Sequence, residues 1–420
     1  MEMKRYRLGE IATVEISGVD KKRKENETPV KLCNFTDVYH NWAITKDLED
    51  SFMDATASEK EIKTFSLKKG QVAFTKDSET RDDIGIPTYI ADNFENVLLG
   101  YHTALITPDK TKLNGKYLNA FMNSKYIQKY FENNASGSGQ RYTLSNDTLN
   151  SIPIIIPNLT KQKVVGNFFS NIDKKIALNK KINAKLEAMA KCLYDYWFVQ
   201  FDFPNGEGKP YKSSGGKMEY NATLKRDIPE GWEVGNLYEI ADYINGLACQ
   251  NYRPQDEELF LPVIKIKEMH EGITSDTEKV SATIPEKYII FDGDILFSWS
   301  ATLEVMIWTG GKGGLNQHIF KVVPKSYFTK EYVFQQLSSY IVNFKKMAEA
   351  RKTTMGHITS DHINQSRIVI PPKEVINAFS EKTLPIFNYQ LTIQKEIQKL
   401  TKLRDRLLPL LMNGQVEVEG

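Results

Sequence analysis

The stretch that decides the fold is 161–200, KQKVVGNFFSNIDKKIALNKKINAKLEAMAKCLYDYWFVQ. It has no proline and a single glycine. Ile182, Leu186, Met189, Leu193 and Tyr196 follow one another at steps of four and three, the spacing of one helical stripe. Ile172 and Ile176 extend the stripe toward the N-terminus. From Ile172 to Phe198 such a helix is roughly 40 Å long at about 1.5 Å per residue. A helix of that length needs a partner for its apolar stripe.

Self-comparison of the chain supplies the partner. The segment 150–157, NSIPIIIP, recurs as 364–371, NQSRIVIP, so that Pro157 returns 214 positions later as Pro371. The same offset carries Ile172, Leu186, Met189, Leu193 and Tyr196 onto Ile386, Leu400, Leu403, Leu407 and Leu410. Upstream the match continues with drifting offsets. LGEIA at 8–12 recurs as LYEIA at 237–241, Leu67 to Thr75 as Ile290 to Ser298, Tyr101-His102 as Gln317-His318, and Tyr117 to Phe131 as Tyr332 to Met347. Loops therefore differ between the copies while the frame is kept.

The duplication predicts a mixed α/β (α+β) protein with two similar domains in tandem, pseudo-two-fold symmetric and bridged by a long antiparallel two-helix coiled coil. The expected divisions are a first domain at 1–158, a central helix at 159–200, an exposed linker rich in Gly, Pro, Ser and Lys at 201–230, a second domain at 231–372 and a C-terminal helix at 373–420. Each copy should begin with short strands (30–35, 71–75 and 104–107, against 261–267, 294–298 and 319–323). A helix follows, 118–131 or 333–347, and then an apolar strand closed by Pro. Ile182, Leu186, Met189 and Leu193 are expected to pair with Ile393, Leu400, Leu403 and Leu407, with Leu410 closing the stripe. Pro409 should kink or end the second helix, and Asn413-Gly414 is a stop signal. Tyr196-Trp197-Phe198 remain for another subunit.

Composition excludes several classes. The 420 residues are 41% hydrophobic and 26% charged, as in ordinary globular proteins, and the net charge is only +2. Any basic surface must be local. Cys33, Cys192 and Cys249 form no CxxC pair, and no apolar run approaches membrane-spanning length, so a reducing cytoplasm is the expected compartment. There is no Walker loop. The runs at 136–139 and 310–314 lack a dinucleotide or S-adenosylmethionine fingerprint and are expected to be turns. No Asn-Pro-Pro-Tyr or Asp-Pro-Pro-Tyr box is present. Asp292 and Asp294 align with Lys69 and Gln71, so they are expected in a surface turn rather than a shared acid or metal site. Six scattered His, with no metal-spaced partners for His270 or His357, give no metal site. No catalytic residue, metal ligand or cofactor site is assigned.

Binding chemistry remains. Two similar domains suit a bipartite, quasi-symmetric ligand, and double-stranded DNA is the obvious one. Lys21, Lys22, Arg23 and Lys24 form a basic run. The segment 136–142 contributes Ser138, Gln140, Arg141 and Tyr142, and its counterpart 351–357 contributes Arg351, Lys352, Thr353 and His357. Both offer small residues, hydroxyls and cations suited to phosphates. Lys76, Arg81, Arg253, Lys265, Lys267 and Trp299 are further candidates, as are His102 and His318 at equivalent places. Arg and Asn have the groups to read base edges bidentately, but residue type alone does not separate base readers from phosphate clamps. The central helix carries eight Lys against Asp173, Glu187 and Asp195, a cationic bias fit for a solvated face or for passing phosphates.

At this point the chain resembles the specificity subunit of type I restriction–modification systems. The resemblance rests on the tandem architecture, on LEAMA at 186–190 running into LYDYWF at 193–198, on FDFPNGEGKPY at 201–211, on IPEGWE at 228–233 and on LLPLLMNG at 407–414. The first domain lacks the Pro-x-Gly-Trp lead-in seen at Pro229 to Trp232. The resemblance implies a subunit without catalytic activity, whose two target recognition domains each read half of a split DNA site. Its helices would space those domains and recruit two modification subunits, which bind S-adenosylmethionine and methylate adenine. Motor–nuclease subunits would complete the restricting complex. Two alternatives remain at this level. One is the specificity module of a single-chain restriction–modification enzyme. The other is a coiled-coil interaction scaffold without DNA specificity.

Overall fold

A computed structural model describes residues 3–137, 141–300, 302–350 and 358–416. The candidates Ser138, Gln140, Arg351, Lys352, Thr353 and His357 lie outside the described residues. The chain divides into two compact units, Met1–Leu178 with Gln398–Gly420, and Asn179–Ile397. Both divisions fall within long helices, Leu159–Tyr194 and Lys373–Met412.

The first unit is built on a five-stranded sheet in the order Ala12–Ile16, Thr103–Pro108, Val72–Thr75, Pro87–Ile90, Ala43–Ile44. All neighbours are antiparallel except the last pair. A second sheet sets Thr28–Cys33 between Met53–Ala57 and Val97–Leu99. The second unit repeats this plan. Ala241–Asn245, Ile319–Pro324, Ile295–Ser298 and Glu304–Ile307 form an antiparallel sheet, and Phe260–Ile264 lies between Lys279–Ser281 and a parallel partner, Gly313–Leu315.

Equivalent hydrogen bonds show that the two units share one frame. The Tyr117 hydroxyl donates to the Ile155 carbonyl at 3.0 Å, and the Tyr332 hydroxyl to that of Val369 at 3.3 Å. The amide of Lys76 donates to the carbonyl of His102 and that of Leu144 to Lys76; the amide of Trp299 likewise donates to His318 and that of Ile358 to Trp299. Glu10 accepts from the Arg7 amide as Glu239 does from the Asn236 amide.

Within each unit the long helices run antiparallel. In the first, Arg404 meets Asp173 at 3.2 Å, and Phe169, Leu408, Leu411 and Met412 share one core. In the second, Asn179 donates to Glu396 at 2.8 Å, while Tyr194 and Trp197 pack on Phe379. This corrects the expected pairing. The segment 179–194 lies against 379–396, so Ile182, Leu186 and Leu193 share the second unit with Ile393, whereas Leu400, Leu403, Leu407 and Leu410 belong to the first. Met189 is 57% exposed and Leu403 41%, while Ala190 is buried. A strict four-three stripe averages 3.5 residues per turn and drifts around a helix of 3.6. The real seam also includes Asn179, which burial of the amide against Glu396 satisfies and an apolar stripe could not reveal.

Five further expectations need revision. Trp197 and Phe198 are not docking residues, because both are buried in the second unit's core; of the trio only Tyr196 is exposed. The supposed linker is folded. Phe201 and Phe203 are buried, Phe203 stacks between Tyr211 and Trp232 at 4.6 and 4.9 Å, and Met218–Asn221 pairs with Arg226–Pro229. A few aromatics anchor a segment whose Gly, Ser and Lys content hides them. The glycine run 310–314 is only partly a turn, since Gly313–Leu315 is a strand. A Cβ on Gly313 or Gly314 would come within 2.6 Å of Ile264 or 2.5 Å of Val280, so close sheet packing requires the glycines. Finally, Pro409 neither ends nor interrupts the helix, which continues to Met412. Pro409 is exposed, so water can meet the carbonyl that it leaves unpaired. The helix stops at Gly414 with φ +69°, where Gln415 donates to Leu410 and Gly414 to Leu411, a Schellman closure. The single helix expected at 118–131 is two, Gly115–Met122 and Lys125–Asn134, because Ser124 caps the second by accepting from the Ile127 amide.

Candidate nucleic-acid interface

Strand Val72–Thr75 delivers Lys76 and Asp77 to one end of the first unit's sheet, and the turn before Thr103–Pro108 delivers Tyr101 and His102 beside them. His102 has φ +68°, a left-handed conformation uncommon outside glycine. That turn lets its carbonyl accept from Lys76 while its ring meets Asp77, with Nδ1 2.6 Å from Oδ2. Asp77 also holds the Lys76 ammonium at 2.9 Å, and that ammonium reaches Thr143 at 2.8 Å. Burial alone would raise the Asp77 pKa; hydrogen bonds from Thr143, Lys76 and His102 outweigh it and hold the carboxyl below its usual range. The pairing of Tyr142–Thr143 with Asp77–Ser78 brings in Arg141, whose guanidinium lies on the His102 ring.

The structure thus gathers Lys21, Lys76, Arg81, His102, Arg141 and Tyr142 at one rim. Lys76 and Arg141 lie 2.9 and 3.6 Å from Asp77, whereas the other two cations are held by rings. Lys21 sits 5.6 Å from the centroid of Tyr101 and Arg81 5.0 Å from that of Tyr142. A ring orients a cation without neutralising it, so its N–H groups stay available to phosphates. Of the basic run, Arg23 and Lys24 are instead paired with Asp54 and Glu27, each at 3.2 Å; Lys22 is exposed. The rim encloses an open cleft of about 710 Å³ walled by Phe35, Tyr39, Tyr101 and His102. Residue type did not single out Asp77, Asp83 or Tyr39, which also line it. The available signal was loop length. The connection 76–86 is much longer than its counterpart 299–303, and such variation between copies marks function more than framework.

At the equivalent place the second unit carries different chemistry. Trp299 replaces Lys76, its Nε1 donates to Asn245 at 3.1 Å, and its ring lies 5.5 Å from that of His318. Lys265 is bonded to Glu278, and Lys267 lies 3.7 Å from Glu271. Arg253 is exposed. The hydrogen bonds from Lys265 and its charge are what chiefly lower the Glu278 pKa. Among the described residues, Lys265 and Lys267 are matched by acids of their own domain, and the contacts around Trp299 and His318 are made by Asn245, Gln317 and Phe320 rather than by a cation.

A duplicated α/β frame with one rim chemically rewritten between copies is the form of a protein that recognises two different ligands by one scaffold. Comparison with known proteins names the class. The family model described as "Type I restriction modification DNA specificity domain" matches residues 1–188 and again 229–403, and the chain belongs to that family. Among relatives, the type I restriction enzyme HindI specificity subunit of Haemophilus influenzae is 24% identical over 470 residues, covering 99% of this chain and 100% of its own. The MjaIX specificity subunit of Methanocaldococcus jannaschii is 25% identical, covering 90% of this chain and 87% of its own. In fold, the chain is similar to the crystal structure of the S subunit of a type I restriction–modification system from M. genitalium, with a TM-score of 0.57 at 12% identity over 98% of this chain and 96% of that one.

Proposed function

We propose that this chain is the non-catalytic specificity subunit of a type I restriction–modification assembly. Each unit binds one half of a bipartite duplex site. The antiparallel helices set the distance between the halves and carry two adenine-methylating subunits, and motor–nuclease subunits join them in the restricting complex. S-adenosylmethionine belongs to the methylating partners, and the assembly works in the cytoplasm. No helix among the described residues is long and apolar enough to cross a membrane.

The observation that carries this reading is the contrast between frame and rim: equivalent hydrogen bonds, and different side chains where ligand would lie. Ring-held cations support phosphate contact by the first unit, and the polar face of Trp299, Asn245 and His318 supports contact by the second. The direct test is methylome sequencing of a host that expresses the chain with its modification subunit. A split motif with a fixed spacer is expected; methylation at an undivided motif would overturn the reading. Inserting four residues near Asn183 adds roughly 6 Å of helix. The spacer should then lengthen by one or two base pairs, at roughly 3.4 Å each. An unchanged spacer would remove the spacing role from the helices while leaving the two half-sites intact.

A further inference from the structure

The long connection 76–86, which the second unit lacks, brings Asp83 to the cleft of the first unit. There the Tyr39 hydroxyl faces both carboxylate oxygens, at 3.0 and 2.9 Å. That bond, followed by burial and the charge of Asp83, pushes the Tyr39 pKa up, so the hydroxyl keeps its proton and acts as the donor. One hydroxyl cannot saturate a carboxylate, which has about four acceptor positions. Asp77, the neighbouring acid, is engaged by Lys76, His102 and Thr143 and is 8% exposed. Asp83 and Glu79, which lines the same cleft, keep acceptor capacity, and of these two Asp83 is the one that a cleft hydroxyl holds in place.

An anion at this position constrains what can face it. Lys21 and Arg141 line the same cleft, and Arg81 follows on the same connection. Those cations suit phosphates, whereas a carboxylate repels them. The donors that DNA presents in its major groove are exocyclic amino groups, N4 of cytosine and N6 of adenine. Deepening the DNA-reading role proposed above, and resting on it, we propose that Asp83, oriented by Tyr39, accepts a hydrogen bond from such an amino group in the half-site bound by the first unit. The rings of Phe35, Tyr39, Tyr101 and His102 wall the cleft, and the cations at its rim fix the backbone beside that base. The short connection 299–303 of the second unit, WSATL, carries no acid, so that unit reads its own half by other groups.

The test compares methylomes of a host expressing the complete modification complex with the native chain, with Asp83→Asn and with Tyr39→Phe. In the native chain one base pair of the first half is discriminated by about 5- to 150-fold, the range for a good direct contact. Asp83→Asn should relax that one position by at least about fivefold and leave the second half and the spacer unchanged; Tyr39→Phe should relax the same position less. Relaxation at a C·G pair identifies cytosine as the base read, and at an A·T pair adenine. An unchanged motif in Asp83→Asn, or relaxation confined to the second half, overturns the proposal. Should Asp83→Asn abolish methylation, selection of duplexes randomised in the first half by the purified Tyr39→Phe complex decides it, and an unaltered consensus overturns it. If the native chain yields no split motif, the DNA-reading role itself fails. A native split motif left unaltered by Asp83→Asn removes only the role of Asp83.

Discussion

The two units share key backbone and core hydrogen bonds, yet their side chains differ at one end of the main sheet. Tyr117 and Tyr332 are both fully buried, and each ties its helix to the carbonyl of an apolar strand. Lys76 and Trp299 have equivalent backbone partners, His102 and Leu144 for one and His318 and Ile358 for the other, yet one is an ammonium bonded to Asp77 and the other an indole bonded to Asn245. The first rim holds Lys21 and Arg81 over aromatic rings; in the second unit Lys265 is bonded to Glu278 and Lys267 lies 3.7 Å from Glu271, while Lys279 lies over the Phe260 ring. Backbone hydrogen bonds and close packing specify the frame without reference to the rim. The rim can therefore change its chemistry while the frame is kept, as the proposed reading of two half-sites requires.

If the frame is shared, equivalent truncations should have equal consequences. Tyr117→Ala and Tyr332→Ala each remove a fully buried ring and should each destabilise their own unit by about 3–5 kcal/mol. Denaturant titration followed by amide exchange in each unit measures both. A difference between the two larger than about 2 kcal/mol would show that the frames differ energetically in spite of their common hydrogen bonds.

If the rims differ as described, equivalent charge removals should have unequal consequences. Arg81→Ala and Lys21→Ala should weaken DNA binding by the assembled complex and lower its log–log salt slope by about 0.9 for each phosphate left without its cation. Lys265→Ala and Lys267→Ala should leave the slope unchanged, because those charges already have partners within their own domain. Their effect on stability should stay within about 1 kcal/mol, as for other exposed pairs. A salt slope that falls equally for Lys265→Ala and Arg81→Ala would erase the distinction between the two rims.

Much of the frame was legible in the sequence, because duplication prints apolar positions twice. The strands Val72–Thr75 and Ile295–Ser298, the long helices and the stop at Gly414 all follow from repeats and local signals. What was illegible has physical causes. The seam of the helices includes Asn179, whose amide is satisfied by a residue more than two hundred positions away. The segment 201–230 folds on isolated aromatics rather than on a period. At the rim, residue type pointed to Lys76, Arg81, His102 and Arg141, but two of the groups that organise the site are Asp77 and Tyr39, whose roles arise only when distant turns meet. Lys265 and Lys267 looked equivalent to Lys21 for the same reason, since a sequence shows a cation but not whether an acid lies opposite.

The smallest expected effect concerns acid stability, and it separates the units again. Asp77 has a carboxyl held below its ordinary value near 3.8 because, against burial, it accepts from Thr143, Lys76 and His102. Its contribution to stability is fully present above that value and is lost as the pH falls from there through the lowered one, since the unfolded chain then binds the proton more readily. Asp173, in the same unit, is displaced the other way: burial raises it, and Arg404 only partly offsets this. Protonation of Asp173 therefore favours the folded unit, and its contribution falls as the pH rises past 3.8 through the raised value. At the equivalent places the second unit has Ser300 and Phe387, which do not titrate. In denaturant titrations repeated across the acid range, Asp77→Asn should flatten the first unit's loss of stability and Asp173→Asn should steepen it. Neither should move the second unit. An acid response of the first unit unchanged by Asp77→Asn would mean that the contacts around His102 do not act as one bonded group, and the difference between the rims would then reduce to Lys21, Arg81 and the length of the connection that carries Asp83.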